Sequence, residues 1–313
     1  MSYAILFPGQ GSQAVGMGAG LFEAHPKLLG ETSDSILGWS LRSMCLEGPA
    51  EELTRTEHAQ PALFAVSYAL WLSFREVMGN PPVAAAGHSL GEYTALTAAG
   101  ALSFEEALRL VARRGEEMAT AADLEPSGMA ALIGADEALA EKVASESEGR
   151  GGRLQIANLN APGQVVVAGG AADLEWLEEH GTDLGVRRVI RLKVAGAFHS
   201  SFMSPAAEQL AGLITGARFS ALEFDVISNV TGRPHEPGSI GAKLVEQVTS
   251  PVRFEASLRN MSASGVGTFV HIGPGDVTAG LAKRTNPDAK VFTVSSRDDI
   301  DSTVESLSTM DRE

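Results

Sequence analysis

VAAAGHSLGEYTALTAAG, residues 83–100, is the stretch on which the fold turns. A short apolar run, Val83 to Ala86, meets Gly87-His88-Ser89-Leu90-Gly91, and a helical pattern starts at once with Glu92-Tyr93-Thr94. A strand that enters a Gly-x-Ser-x-Gly turn and leaves it as a helix is the setting of a nucleophile elbow. The flanking glycines permit the tight turn and leave Ser89 exposed at its top. The N-terminus of the helix beyond offers unpaired N–H groups to a developing oxyanion.

Working outward, YAILF (3–7) reads as a buried first strand stopped by the glycine-rich PGQGSQ, and not as a signal peptide, because no basic segment leads into it. QPALFAVSYALWLSFREVM (60–78) reads as a helix buried on most sides, with Pro61 in its first turn. SFEEALRLVARRGEEMATAA (103–122) opens with Ser103 and Glu106 at capping-box spacing. Strand, helix, strand, helix predicts an α/β sheet with helices on both faces. The pattern then changes. A strand over 128–134, a polar helix over 136–147, a hairpin of 154–160 and 164–170 around Ala161-Pro162-Gly163, a helix over 172–184 and a strand over 187–194 follow in turn. That β-α-β-β-α-β order is ferredoxin-like. Residues 125–196 are therefore expected to form an inserted small domain, with 1–124 and 197–313 as the large α/β domain. Beyond the insert, helices and strands alternate again to a terminal helix.

Composition narrows the function classes. The chain has 313 residues, a length suited to about two domains, and a hydrophobic fraction of 44%, which excludes a disordered chain. Its 24 basic and 39 acidic residues give 24 − 39 = −15, which argues against a nucleic-acid coat, although a local basic patch survives that sum. The single Cys45 excludes an intramolecular disulfide or a multi-cysteine metal site, and it is expected to pack as a small apolar side chain. No metal ligand set is read. Apolar runs stop well short of a membrane span, so a soluble cytoplasmic protein is expected.

A serine nucleophile needs a base at neutral pH. His88 adjoins Ser89 but leaves the turn in another direction, and so suits a supporting role. His25, His58, His180 and His235 stand in polar surroundings and are expected to be exposed. Two candidates remain. His199, in GAFHSSFMSP at the return from the insert, is the better placed; His271, ending the apolar run in VHIGPG, is the second. Neither Asp225 nor Asp276 is required by the pattern as a third member, and a backbone carbonyl could orient the imidazole equally well.

FPGQGSQ (7–13), GHSLGEY (87–93), ARRGEEM (112–118), NAPGQVVVAG (160–169), GAFHS (196–200) and GPG (273–275) together resemble a malonyl-CoA:acyl carrier protein transacylase, in order and across nearly the whole chain. The resemblance implies an α/β-hydrolase-like large domain carrying a ferredoxin-like insert. It implies Ser89 as the nucleophile and His199 as a base oriented by a backbone carbonyl. It further implies backbone N–H groups of Gln10 and Leu90 as the oxyanion hole, Arg114 as the partner of the malonyl carboxylate, and Gln247 as an organiser of the network. Phe198 accompanies malonyl preference. The expected acyl donor is malonyl-CoA, with no bound cofactor, and the expected acceptor is the phosphopantetheine thiol of an acyl carrier protein. A monomer is the family expectation. A guanidinium suits the substrate, because it meets a carboxylate through a planar fork and would be left unpaired by an acetyl group. Arg113, one helix position away, is expected to be solvated. Because carrier proteins are acidic, docking on a chain of charge −15 calls for a local basic face, for which Lys283, Arg284 and Arg187 are candidates. In a regular strand Arg187, Arg191 and Lys193 would share one side and Arg188 would take the other.

Overall fold

Short strands of small apolar residues build the centre of the molecule. In the computed structural model, which describes residues 2–310, nine strands form two sheets. They are β1 (Ala4–Phe7), β2 (Ala84–Gly87), β3 (Ser127–Ile133), β4 (Gln155–Ala161), β5 (Gln164–Gly170), β6 (Arg188–Arg191), β7 (Asp225–Ile227), β8 (Thr268–Ile272) and β9 (Lys290–Val294). The first sheet runs β7-β2-β1-β8-β9 and is parallel throughout. Helices cover both of its faces, so both sets of side chains are buried, and β1 and β2 are apolar at every position instead of alternating.

The helix Thr56–Met78 packs Phe64, Trp71 and Phe74 beneath this sheet. It begins a turn earlier than expected, which moves Pro61 into the second turn, where the Glu57 carbonyl forgoes its usual i+4 donor. Against it lies Phe104–Leu124, started by the anticipated capping box of Ser103 and Glu106. On the opposite face, Leu6 and Phe269 pack with Phe254 and Leu258 of the helix Phe254–Ala263.

The second sheet is antiparallel, in the order β4-β5-β3-β6, and all four of its strands come from residues 127–191. Period two decides what each face meets. Ala130 and Leu132 of β3 join Val143 and Leu174 from the helices Glu137–Glu148 and Ala171–His180, while Met129 and Ala131 face the main core. The sheets are tied where β4 meets the segment before Phe254: Leu159 N–H donates to the Val252 carbonyl at 2.9 Å and Val252 N–H to that of Ala157 at 2.8 Å.

β6 ends at Arg191, earlier than expected, and alternation ends with it. Leu192, Lys193 and Val194 all line one cavity, so Lys193 does not continue the row of Arg187 and Arg191. Arg191 instead faces Glu178, 3.7 Å away. Among the described residues no helix is long and apolar enough to cross a membrane, and no group of three His, Cys, Asp or Glu side chains could hold a metal ion. Cys45 is fully buried, and burial pushes its thiol up to about 12.

Candidate active site

The turn after β2 is compressed against the loop after β1. A Cβ added at Gly91 would stand 2.6 Å from the Phe7 carbonyl oxygen, and one at Gly9 would stand 2.6 Å from that of His88. Only glycine lets the two backbones come so close. The approach brings Gln10 and Leu90 to the same cavity, of about 220 Å³. Among the described residues neither of their amides has a hydrogen-bond acceptor, so two donors stand free beside Ser89.

Ser89 sits in the left-handed region at φ 53°, and so does His199 at φ 59°. The serine Oγ and the imidazole Nε2 are 2.7 Å apart. His199 Nδ1 lies 2.8 Å from the backbone carbonyl oxygen of Gln247, the last residue of the helix Ile240–Gln247. With Nδ1–H donating to that carbonyl, Nε2 is left as the acceptor of the serine proton. Neither aspartate takes this position: Asp225 opens β7 on the surface, and Asp276 precedes the helix Val277–Thr285. Burial pushes the His199 imidazole down to about 3, and the neighbouring Arg114 charge acts in the same direction. The base is therefore neutral, and ready to accept, throughout the physiological range.

His271 is removed from this centre. It is buried in β8, with Nδ1 at 2.6 Å from Thr278 Oγ1 and Nε2 at 2.9 Å from the Gly273 carbonyl, where it braces the glycine turn. His88 bonds Asn160 Oδ1 through Nε2 at 2.8 Å and packs on Phe254. The expectation of exposed histidines fails for all four. His25 and His58 are half-buried, His25 against Ser73 and His58 against Trp39; His180 is half-buried on Trp176. His235 is wholly enclosed. A tight turn after β7, closed by the bridge of Ile227 to Pro234, carries it back beneath the elbow to Glu92.

Arg114, from Phe104–Leu124, is 1% exposed and points into the cavity. Its Nη1 donates to Gln60 Oε1 at 2.5 Å, and its Nη2 donates to Ser89 Oγ at 3.0 Å and to Gln247 Oε1 at 2.9 Å. Among the described residues its Nε has no hydrogen-bond partner, and Tyr93 presents its ring 5.7 Å from the guanidinium carbon. Every acceptor is neutral, and among the described residues Arg114 makes no ion pair. A buried cation without a direct ion pair is costly, and although the Glu92 charge acts on it from beyond Gln247, an anion entering the cavity would relieve it further. Arg113 behaves differently, lying half exposed and paired with Glu116 and Glu117. Phe198 is buried, and with Met118, Met129, Val166 and Leu192 it gives the cavity its apolar wall.

Three polar residues of this centre escaped the sequence reading: Glu92, Asn229 and Gln60. Glu92 belongs to the helix Gly91–Ala98, in which every residue is buried, so periodicity carries no signal for it. Asn229 holds the elbow from both sides, accepting from Ser89 N–H at 2.8 Å and donating to the Gly87 carbonyl at 2.7 Å.

Lys283, Arg284 and Arg187 are exposed, the latter two beside the tip of the β4–β5 hairpin. Arg284 donates to Gln164 Oε1 at 3.2 Å, Gln164 lines the cavity, and Arg187 packs on Gly134, whose N–H meets the Gly163 carbonyl. A broader groove of about 800 Å³ also reaches His199, and Glu137, Glu141 and Glu148 line it together with Arg153 and Arg253.

A family model described as the acyl transferase domain matches residues 5–309. A malonyl CoA-acyl carrier protein transacylase of Bacillus subtilis (strain 168) is 44% identical over 307 residues, spanning 97% of this chain and 96% of that protein. The crystal structure of a malonyl CoA-acyl carrier protein transacylase from Clostridium perfringens superposes with a TM-score of 0.93 at 33% identity, covering 99% of this chain and 98% of the other. A malonyl-transacylase in complex with its type II PKS acyl-carrier protein superposes at 0.92 and 35% identity, covering 98% and 100%.

Proposed function

Because the chain belongs to the acyl transferase domain family, among its malonyl CoA-acyl carrier protein transacylases, we propose that it carries malonyl from malonyl-CoA to the phosphopantetheine thiol of an acyl carrier protein, through a malonyl ester on Ser89. The observation that carries this reading is the buried, unpaired Arg114 guanidinium 3.0 Å from a serine that faces a neutral imidazole. A serine hydrolase would need the Ser89–His199 pair but has no use for a buried guanidinium without a direct ion pair beside it.

The transfer is a two-step exchange. Nε2 of His199 takes the Ser89 proton as Oγ attacks the thioester carbon, and the resulting imidazolium is stabilised by the Gln247 carbonyl at Nδ1. The oxyanion takes up the free N–H groups of Gln10 and Leu90. Collapse expels the thiolate of coenzyme A, which recovers the proton from His199. The phosphopantetheine thiol then gives its proton to His199 and attacks the malonyl ester, and Ser89 is regenerated with that proton. Arg114 holds the malonyl carboxylate through both halves, and Phe198 fills the space a methyl branch at the α-carbon would need, a discrimination worth about 1–3 kcal/mol. The acyl donor brings the chemistry, so the scheme uses no resident cofactor, and a monomer suffices for it.

The carrier protein is assigned to the face of Lys283, Arg284 and Arg187, where three basic side chains are exposed, whereas the other groove reaching His199 sets three glutamates against Arg153 and Arg253 and so offers an acidic partner no net positive charge. The domain division follows the same logic: the strand order β4-β5-β3-β6 within 125–196 supports a ferredoxin-like insert in an α/β-hydrolase-like domain formed by 1–124 and 197–313. Mass spectrometry after exposure to malonyl-CoA or acetyl-CoA tests the function. A malonyl adduct on Ser89 that passes to a carrier thiol is expected, with little acetyl adduct and none in Ser89→Ala. Loss of the adduct to water at the same rate with and without carrier would overturn the proposal.

A further inference from the structure

Beneath the Ser89–His199 pair lies a carboxylate that no substrate reaches. Glu92 is fully buried, one helical turn beyond the nucleophile. Its Oε1 accepts from His235 Nε2 at 2.7 Å, and its Oε2 accepts from Gln247 Nε2 at 2.7 Å and from the Asn229 N–H at 3.1 Å. Gln247 Nε2 also donates to the Ser89 carbonyl at 3.0 Å. With both of its oxygens accepting, the Glu92 side chain dictates which end of the Gln247 amide faces it. With the NH2 group turned to Glu92, the amide oxygen is turned to Arg114, where it accepts from Nη2 at 2.9 Å. The opposite orientation would aim NH2 at a guanidinium, donor against donor.

We propose that Glu92, steadied by His235, is a positioning residue for acyl selection: it fixes the Gln247 amide, and through it holds Arg114 at Ser89. The inference rests on the proposed malonyl transfer, and it assigns a selective function to a residue pair outside the cavity. In Glu92→Gln the side chain can donate as well as accept, so the NH2 end of the Gln247 amide is held by the Ser89 carbonyl alone and the hold of that amide on Arg114 loosens. The consequence is specific to substrates that use Arg114.

The test compares Ser89 acylation rates from malonyl-CoA and acetyl-CoA in the wild type, Glu92→Gln, Gln247→Ala and the double variant, with the thermal midpoint as a check on folding. Loss of a charge-assisted contact predicts a fall of about tenfold or more in the malonyl-to-acetyl ratio of Glu92→Gln. In the Gln247→Ala background the second substitution should add nothing further, because its effect travels through that amide. Equal losses for both substrates in a folded Glu92→Gln protein, or losses that multiply in the double variant, would overturn the inference. If Glu92→Gln does not fold, His235→Gln decides, and an unchanged ratio overturns it. A wild type without malonyl preference would instead refute the function, so the two failures are distinct.

Discussion

Ser89 and His199 are the two non-glycine residues with positive φ among those described, and they touch. Such backbone costs about 1–3 kcal/mol per residue and persists only where its surroundings enforce it. Asn229 supplies the restraint on one side and the Gln247 carbonyl on the other. Titration of the imidazole follows from the same enclosure. Its value is depressed by burial first and by the Arg114 charge second, so removing that charge in Arg114→Ala should raise the His199 midpoint from about 3 toward the ordinary histidine value without restoring it. NMR of the ring nitrogens would read this, and an unmoved midpoint would leave burial as the sole cause. The sign for stability is fixed as well. The folded form binds fewer protons than the unfolded chain, so the contribution of His199 is fully present above about 6.5 and is lost as pH falls toward 3. His88, also depressed by burial, adds to that loss, and urea midpoints should decline across this window. The sequence motif announced the serine, but residue type alone could not separate His199 from His271, because the difference between them is a distance across the fold.

At the scale of elements, the crossing of Phe104–Leu124 over Thr56–Met78 aims Arg114. Gly115 stands at the contact, where an added Cβ would lie 2.9 Å from the Thr56 carbonyl oxygen and 3.0 Å from the Glu57 Cα. Both are backbone atoms of the neighbouring helix and have little room to yield. Replacing glycine by alanine inside a helix ordinarily adds up to about 1 kcal/mol of stability. Here overpacking reverses the sign, and Gly115→Ala should lose about 1–3 kcal/mol in urea unfolding, with malonyl transfer reduced because Arg114 shifts with its neighbour. A gain in stability would show that the helices separate freely. The capping box of Ser103, the hairpin around Pro162 and the β-α-β-β-α-β succession of the middle segment were legible because each depends on local turn chemistry or on hydrophobic period. The end of β6 and the burial of His235 were not, since a cavity wall and a tight turn decide them, and neither leaves a repeating mark in the chain. Glu92 was illegible for a related reason: a helix enclosed on all sides gives a charged residue no solvent face to be assigned to.

Over the whole molecule, an acidic chain of charge −15 presents basic side chains at the hairpin tip beside the cavity mouth. Charge reversal at Lys283 and Arg284 together should lower the transfer rate to carrier protein by about tenfold at low salt, and less at high salt, while transfer to free pantetheine stays unchanged. Equal effects on both acceptors would remove docking from that face. The parallel sheet has a further consequence, in time instead of space. β1 leaves a ribosome before the other strands described, yet its pairing partner on one side is β8, with Ala4 opposite Phe269, 269 − 4 = 265 residues later. At about 5–20 residues per second, that edge waits on the order of ten to fifty seconds for its neighbour. Through the whole interval four buried apolar residues, Ala4 to Phe7, offer unpaired backbone to any other nascent chain. The strand that anchors the finished sheet is the one most in need of shielding while the protein is being made.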